Sequence, residues 1–139
     1  MKSKITITII LMTIFLIGCS EESWVLFLED GQSQHYFLKK NVNKTKIGIF
    51  TSVMSRYLND QTLTPPPNEP ITYRSLWETV IFDCEKQQYL APDVEYFDAS
   101  GKLVHFVVTN IPDEIWRPIN ESAVYSALFS QINQLCAQN

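Results

Sequence analysis

The chain has 139 residues, with 11 basic and 15 acidic side chains and a formal net charge of −4. This length fits one globular domain, and an acidic balance without a basic patch argues against nucleic acid as a partner. The chain has two histidines, no clustered Cys/His spacing and no glycine-rich phosphate loop. We therefore predict that the protein is not an enzyme and uses neither a metal nor a cofactor.

The first 19 residues have the pattern of a lipoprotein export signal. Lys2 and Lys4 give a positive start, and Ile5–Ile17 is an apolar run of 13 residues. Such a run is too short to span a bilayer as a stable helix. Gly18 and Cys19 follow, so a small residue precedes the predicted cleavage site and a thiol is left to receive lipid. The alternative is an ordinary signal peptide that is followed by a cysteine by chance.

Cleavage would give a signal peptide, residues 1–18, and a mature domain, residues 19–139. Two or more acyl chains on Cys19 would hold that domain stably at a membrane. Ser20 after the cysteine favours the outer membrane, by resemblance to enterobacterial lipoproteins, and leaves open a surface or a periplasmic orientation. The mature chain has 9 basic and 15 acidic residues, a net charge of −6, because Lys2 and Lys4 are lost. Lipid rather than charge would therefore make the membrane contact.

Most of the mature chain has strand character. Alternating apolar residues in β-prone segments, separated by turn signals such as Asp30–Gly31 and Asp98–Gly101, predict about six strands. The polar, proline-rich stretch Asn59–Pro70 predicts an exposed loop between two of them. The predicted strands are Trp24–Glu29, His35–Lys40, Lys46–Met54, Tyr73–Cys84, Gln88–Phe97 and Lys102–Thr109.

The hydrophobic period changes near the C-terminus. From Glu121 to Cys136 apolar residues recur every three or four positions, after a start signal at Pro118 and Asn120. This spacing predicts a helix with one broad apolar face. The predicted fold class is therefore α+β, an antiparallel sheet of about six strands with one face covered by the C-terminal helix.

Cys84 and Cys136 are the two cysteines that remain once Cys19 is lipidated. In an oxidising compartment they most simply form one disulfide, which would join a strand to the last turn of the helix. A closed loop of roughly 50 residues is worth about 4 kcal/mol on the chain-entropy model. A redox-active pair is the alternative, although the two cysteines do not form a C-x-x-C motif.

The predicted strand Tyr73–Cys84 has two different faces. If the helix covers the face that contains Cys84, then Tyr73, Trp77 and Ile81 lie on the uncovered face. Large aromatic side chains dominate protein-binding surfaces, so these three residues are the predicted partner-binding residues. A homodimer seam, or a second cover from the N-terminal segment, is the alternative use of this face.

Polar residues inside the predicted strands receive structural interpretations. Glu78 shares the face of Cys84 and indicates that this end of the strand is solvated. His35 and His105 both lie in strand-like segments, where a lone histidine is more often structural or exposed than a ligand.

Three segments resemble the surface-adhesin protein E family of Gram-negative lipoproteins. They are Ser75–Cys84 with the sequence SLWETVIFDC, Tyr96–Gly101, and Trp116–Ser122, followed by the helix that ends at Cys136. The resemblance implies a six-stranded sheet with one helix and one disulfide. It also implies a surface role, since the namesake adhesin binds host matrix and serum proteins, including vitronectin, laminin and plasminogen.

The chain departs from the family pattern at two places. The segment Ile49–Val53 lacks the tryptophan that is usual in the third strand, and the loop with the sequence TPPPN looks expanded. Both departures bear on binding specificity, since such binding resides on surface loops and strands. The leading hypothesis is a lipid-anchored binding protein whose partner is a host matrix protein or an envelope component. The alternative is a structural accessory lipoprotein that faces the periplasm and docks on an envelope complex.

Overall fold

One antiparallel sheet forms most of the molecule in the computed structural model, which describes residues 23–109 and 115–138. Its strands are β1 (Trp24–Glu29), β2 (Ser33–Leu38), β3 (Asn43–Lys44), β4 (Ile49–Leu63), β5 (Ile71–Asp83), β6 (Gln88–Phe97), β7 (Leu103–Val108) and β8 (Arg117–Pro118). Six of them follow the order β1-β2-β4-β5-β6-β7, while β3 pairs with β4 and β8 pairs with β6. The predicted α+β class with an antiparallel sheet is confirmed, and two short strands are added to the predicted six.

The second half of β4 is the main difference from the predicted elements. Asn59–Pro70 was expected to be a loop, but β4 continues to Leu63 and its last residues pair with the start of β5, where Leu63 lies opposite Ile71. Residues 59–63 are polar or half-exposed, so they lack the apolar alternation that identifies a strand with one buried face. Backbone pairing in an exposed hairpin thus extends the strand without leaving a hydrophobic pattern.

The helix α1 spans Ala123–Ile132 and ends in a 3-10 turn, Asn133–Ala137. It begins two residues later than predicted because Ser122 is its N-cap, and the Ser122 hydroxyl accepts a hydrogen bond from the backbone N–H of Tyr125. The predicted helix Glu121–Cys136 thus corresponds to α1 together with this turn.

The hydrophobic core lies between α1 and one face of the sheet. Leu128, Phe129 and Ile132 form the buried side of α1. They pack in one cluster with buried residues of the 3-10 turn before α1 and of the sheet, which are Ile119, Phe37, Ile49, Val53, Val80 and Phe82. We call this side of the sheet the covered face.

A disulfide closes the domain at one end of the covered face. Cys84, which follows β5, is bonded to Cys136 in the 3-10 turn after α1, with 5.7 Å between the two Cα atoms. The predicted pairing is confirmed, and it joins the end of the helical segment to the centre of the sheet.

Candidate interaction surface

The face of the sheet opposite α1 is the open face. The pairing of the strands shows which side chains lie on the open face, because residues directly opposite one another on paired strands point to the same side. Val53 of β4 and Val80 of β5 belong to the core and point toward α1. Their neighbours Met54 and Thr79 therefore point away from α1, and so does Trp77, the partner of Met54. One row of cross-strand partners crosses the whole open face: Leu26, Tyr36, Met54, Trp77, Glu95 and Phe106.

The half of the open face between β1 and β5 is partly covered by its own side chains. The ring of Trp24 lies 5.5 Å from the ring of Trp77, although β2 and β4 separate their strands. The two indoles therefore lean toward each other across the sheet. Met54, which lies between β2 and β5 in the row, is only 6% exposed. Trp24 of β1 thus covers part of this face, as in the alternative in which the N-terminal segment provides a second cover.

The other half of the open face, between β5 and β7, is apolar and accessible. We call it the open patch: Trp77, Phe97, Leu103, Phe106 and Val108. Trp77 is 41% exposed and its ring lies 5.8 Å from the ring of Phe97. Phe106 and Val108 are more exposed still, at 63% and 66%. Several large apolar side chains exposed on one face of a sheet are typical of a protein-binding surface.

Strand β7 increases the exposure of the open patch because it is the last strand of the sheet in the described part of the chain. Leu103–Val108 has the sequence LVHFVV and contains no lysine, glutamate, aspartate or proline, the residues that usually protect an edge strand. At the opposite edge, β1 contains a bulge between Leu26 and Leu28 and is in contact with α1. The two edges of the sheet are therefore not equivalent, and β7 is the accessible one.

Acidic side chains lie among the apolar residues of the open patch. Glu95 is exposed and lies directly between Trp77 and Phe106 in the cross-strand row. Asp93 is exposed between Thr79 and Val108 in the neighbouring row. The patch therefore combines apolar area with negative charge, which suits a partner surface that presents both apolar and basic groups.

The predicted partner-binding residues do not all lie together. Trp77 and Ile81 share the open face, because the pairing of β4 and β5 is regular from Ile49 to Arg56. Tyr73 does not share it. Its ring lies 4.9 Å from the ring of Tyr96. Phe97 contacts Trp77 on the open face, so Tyr96, the preceding residue in β6, points to the covered face. Tyr73 therefore lies on the covered face.

The prediction that all three residues share one face is therefore wrong for Tyr73. The register of β4 and β5 shifts between Arg56 and Gln61, so simple alternation does not extend from Trp77 to Tyr73. Sequence reasoning also missed Phe106 and Val108 of the open patch. The uncharged sequence LVHFVV of a predicted last strand was the signal that could have identified them.

Glu78 is the main polar feature of the covered face. It lies between Val53 and Val94 in the strand register and is half-buried, so it does not mark a solvated end of the strand. The Tyr125 hydroxyl of α1 donates a hydrogen bond of 2.8 Å to its carboxylate. Burial raises the pKa of Glu78, and the hydrogen bond from Tyr125 opposes that shift. Glu78 thus connects α1 to the middle of β5.

Tyrosine rings surround this carboxylate. The rings of Tyr57 and Tyr73 lie 5.9 Å apart in an edge-to-face arrangement, and Tyr73 contacts Tyr96 in the same way. Burial raises the pKa of Tyr57 to about 12 and also raises the pKa of Tyr96, and the charge of Glu78 adds to both shifts. These phenols are therefore neutral at physiological pH.

The two histidines have different surroundings. His35 is buried, with its ring nitrogens 2.9 Å from the Ser33 Oγ and 2.7 Å from the Ser55 Oγ. The Ser33 hydroxyl donates to Asp30, so it can only accept from His35, which places the ring proton on Nε2. Burial lowers the pKa of His35, and the Asp30 carboxylate opposes that shift. His105 is half-buried beside the ring of Tyr96. Both arrangements suit structural roles.

Residues 23–109 and 115–138 contain neither a cluster of metal-ligating side chains nor a membrane-spanning helix. No group of three or more His, Cys, Asp or Glu side chains in these ranges could hold a metal ion. No helix there is long and apolar enough to cross a bilayer. Cys19, the predicted lipidation site, lies outside the described residues, as does the predicted signal peptide.

Comparisons with known proteins identify one family. The model of a family described as surface-adhesin protein E matches residues 24–136, which include every strand and helix described above. No curated protein and no solved structure matches the chain.

Proposed function

Because the chain belongs to the surface-adhesin protein E family, we propose that it is a non-enzymatic adhesin that binds partner proteins through the open patch. Membership of this family supports a location at the cell envelope or surface. The observation that supports this site is the group of apolar side chains on one face of the sheet, with Trp77 and Phe97 in contact and Phe106 exposed in the uncharged edge strand. Trp, Tyr and Phe at the centre of an interface contribute most of its binding energy.

The proposed partners are host matrix or serum proteins. The acidic side chains of Asp93 and Glu95 within the patch favour a partner that presents lysine or arginine beside an apolar surface. The backbone groups along the outer edge of β7 would allow an extended partner segment to add to the sheet. A second copy of the chain is an alternative occupant of the same surface, which would make the protein a homodimer.

Lipid on Cys19 would keep this surface at the membrane. In this proposal residues 1–18 are removed, Cys19 carries the acyl chains, and the domain from Trp24 onward projects from the outer membrane. A net charge of −6 for the mature chain gives no attraction to anionic lipid, so anchorage depends on the acyl chains.

Binding by intact cells that produce the full chain tests the proposed site. We expect adherence to immobilised laminin, vitronectin or plasminogen, and a loss of that adherence of at least about tenfold for the double variant W77S/F106S, since two central aromatic residues are removed. The control is Ile47→Ser. Ile47 is 59% exposed, similar to Phe106, but lies in the loop before β4. Equal adherence of W77S/F106S and wild-type cells would refute the site.

Protease added to the same intact cells tests the orientation. Digestion of the mature domain is expected if the protein faces outward. Complete protection, in cells whose outer membrane is intact, would refute an adhesin and favour an accessory lipoprotein that docks on an envelope complex in the periplasm.

A further inference from the structure

A cleft of about 490 Å³ lies on the covered face, between β6, β8 and α1. Glu78 lines it together with Tyr89, Tyr96 and Tyr125, and so does Arg117, which is exposed. The volume is within the range of small-molecule sites, about 300–1,000 Å³. The cleft is on the side of the sheet opposite the open patch, so its function is independent of the proposed adhesin surface.

The strand pairing explains why the sheet opens here. β6 pairs with β8 at Gln88 and Tyr89 and with β7 from Asp93 onward. The register of β5 and β6 shifts between Ile81 and Thr79, so β6 bulges between Leu90 and Asp93. The bulge lies where the partner of β6 changes from β8 to β7, and it leaves a gap between these two strands. Bulges are frequent beside binding sites.

Glu78 gives the cleft its chemical character. In the described part of the chain its carboxylate accepts one hydrogen bond, from Tyr125, although a carboxylate has about four acceptor positions. Arg117 forms no ion pair with it among the described residues. A half-buried carboxylate between Val53 and Val94 thus retains acceptor capacity that a cation from solution could use.

The aromatic residues favour an organic cation. The rings of Tyr89 and Tyr125 lie 4.2 Å apart and are tilted by 41° to each other, and Tyr96 is a third tyrosine that lines the cleft. The negative faces of aromatic rings attract ammonium groups. A carboxylate with several aromatic rings is a recurrent arrangement for binding such groups.

We propose that this cleft binds a small ligand through a primary ammonium group, which pairs with Glu78 and contacts the rings of Tyr89, Tyr96 and Tyr125. Arg117 determines which ammonium compounds fit. Its guanidinium repels a second positive charge at the rim and attracts a carboxylate, so the ligand class is ω-amino carboxylates rather than diamines.

Calorimetric titration of the full chain in non-ionic detergent tests the site with three probes of similar length. We expect saturable binding of 6-aminohexanoate, no binding of hexanoate, which lacks the ammonium, and weaker binding of 1,5-diaminopentane, which lacks the carboxylate. Equal binding of hexanoate would overturn the site. Equal or tighter binding of the diamine would overturn the role of Arg117.

Glu78→Gln is the decisive variant, because its amide oxygen still accepts from Tyr125 while the negative charge is lost. We expect 6-aminohexanoate to bind about tenfold more weakly or worse, with an unchanged melting temperature. The control is Glu69→Gln, an exposed carboxylate between β4 and β5 that lies in neither proposed site and should bind like the wild type.

Tyr96→Leu keeps the test decisive if Glu78→Gln does not fold. It removes one ring and no charge, and we expect a loss of affinity of several-fold from the cation–π contact. Wild-type affinity in the folded Glu78→Gln variant, or in Tyr96→Leu if only that variant folds, would overturn the proposal. Neither result would affect the proposed adhesin surface, which Trp77 and Phe106 test separately.

Discussion

Trp77 and Glu78 are neighbours in β5, and each has an environment unusual for its residue type. Trp77 points to the open face and is 41% exposed, whereas Glu78 points to the covered face and is half-buried under α1. A sheet designed only for stability would bury the indole and expose the carboxylate. Trp77 belongs to the open patch and Glu78 lines the cleft between β6, β8 and α1, so each exception coincides with a proposed binding site.

The two faces of the sheet also differ in the interactions that stabilise them. The covered face is stabilised by a packed core, a disulfide and the Glu78–Tyr125 hydrogen bond. The open patch, by contrast, consists of residues whose apolar surface is left in water. Substitutions in the packed core of the covered face should therefore change stability, and substitutions in the open patch should change the binding of the partner protein.

The largest effect is expected for Phe82→Ala on the covered face. Phe82 is fully buried against Phe129, so a cavity should lower the free energy of unfolding by about 3–5 kcal/mol. Phe106→Ala in the open patch should change it by less than about 0.5 kcal/mol, as surface substitutions usually do. Urea unfolding of both variants measures the contrast, and similar losses in the two would contradict the division into a packed and an open face.

Removal of the disulfide should have the next largest effect. The bond closes a loop of 52 residues, and the double variant C84S/C136S should lose about 2–4 kcal/mol. Because the bond fastens the end of the helical segment, hydrogen exchange in Leu128–Ile132 should accelerate more than in β7. Thiol labelling supplies a second check. Cys136 should be unreactive in the oxidised native protein and reactive in Cys84→Ser.

Gly48→Ala should be destabilising by about 1–3 kcal/mol, because a Cβ at this buried position would overlap the backbone carbonyl of Phe82 in β5. The control is Gly101→Ala, where a Cβ would meet no atom within 4 Å. Gly101 has a positive φ of 84°, so Gly101→Ala should be destabilised by backbone strain alone, without a steric overlap. Equal melting temperatures for the two variants would show that β4 and β5 do not approach as closely at Gly48 as described.

A smaller, pH-dependent effect is expected from His35. Burial lowers the pKa of His35 below its ordinary value of 6.5, so as pH falls the unfolded chain takes up this proton before the folded protein does. The contribution of His35 to stability is therefore complete above pH 6.5 and is lost as pH falls below it. Glu78 shifts in the opposite direction, since its raised pKa makes stability fall as pH rises above 4.5.

Melting temperatures of wild type and His35→Gln between pH 5 and pH 7.5 isolate the histidine. The difference between the two proteins should narrow as the solution becomes more acidic. A difference that widens at low pH would mean that folded His35 is stabilised in its charged form.

The sequence was sufficient to predict those elements that are determined by a pattern within a short segment. Alternation in Trp24–Glu29 and Gln88–Phe97, the helical period after Glu121 and the two remaining cysteines predicted the strands, the helix and the disulfide. It was insufficient where pairing between distant segments decides the outcome. The polar end of β4 is a strand only because β5 lies beside it, and the shift near Arg56 turns Tyr73 to the covered face.

Glu78 shows the same limit for the candidate sites. Its partner Tyr125 is 47 residues away, so no local pattern indicates that the carboxylate is hydrogen-bonded under a helix rather than solvated. Trp77 was predictable as a candidate because its own strand alternates regularly. Phe106 became a candidate only when the strand order placed it on the same row.

Site-specific photo-crosslinking on intact cells tests the central claim, that the open patch is the protein-binding surface. A benzophenone side chain replaces Phe106 in the full chain or, as the matched control, exposed Ser130 of α1. Cells bound to laminin, vitronectin or plasminogen are then irradiated. The account predicts a covalent adduct with the bound protein at position 106 and none at position 130. An adduct at position 130 alone, or equal adducts at both positions, would contradict it.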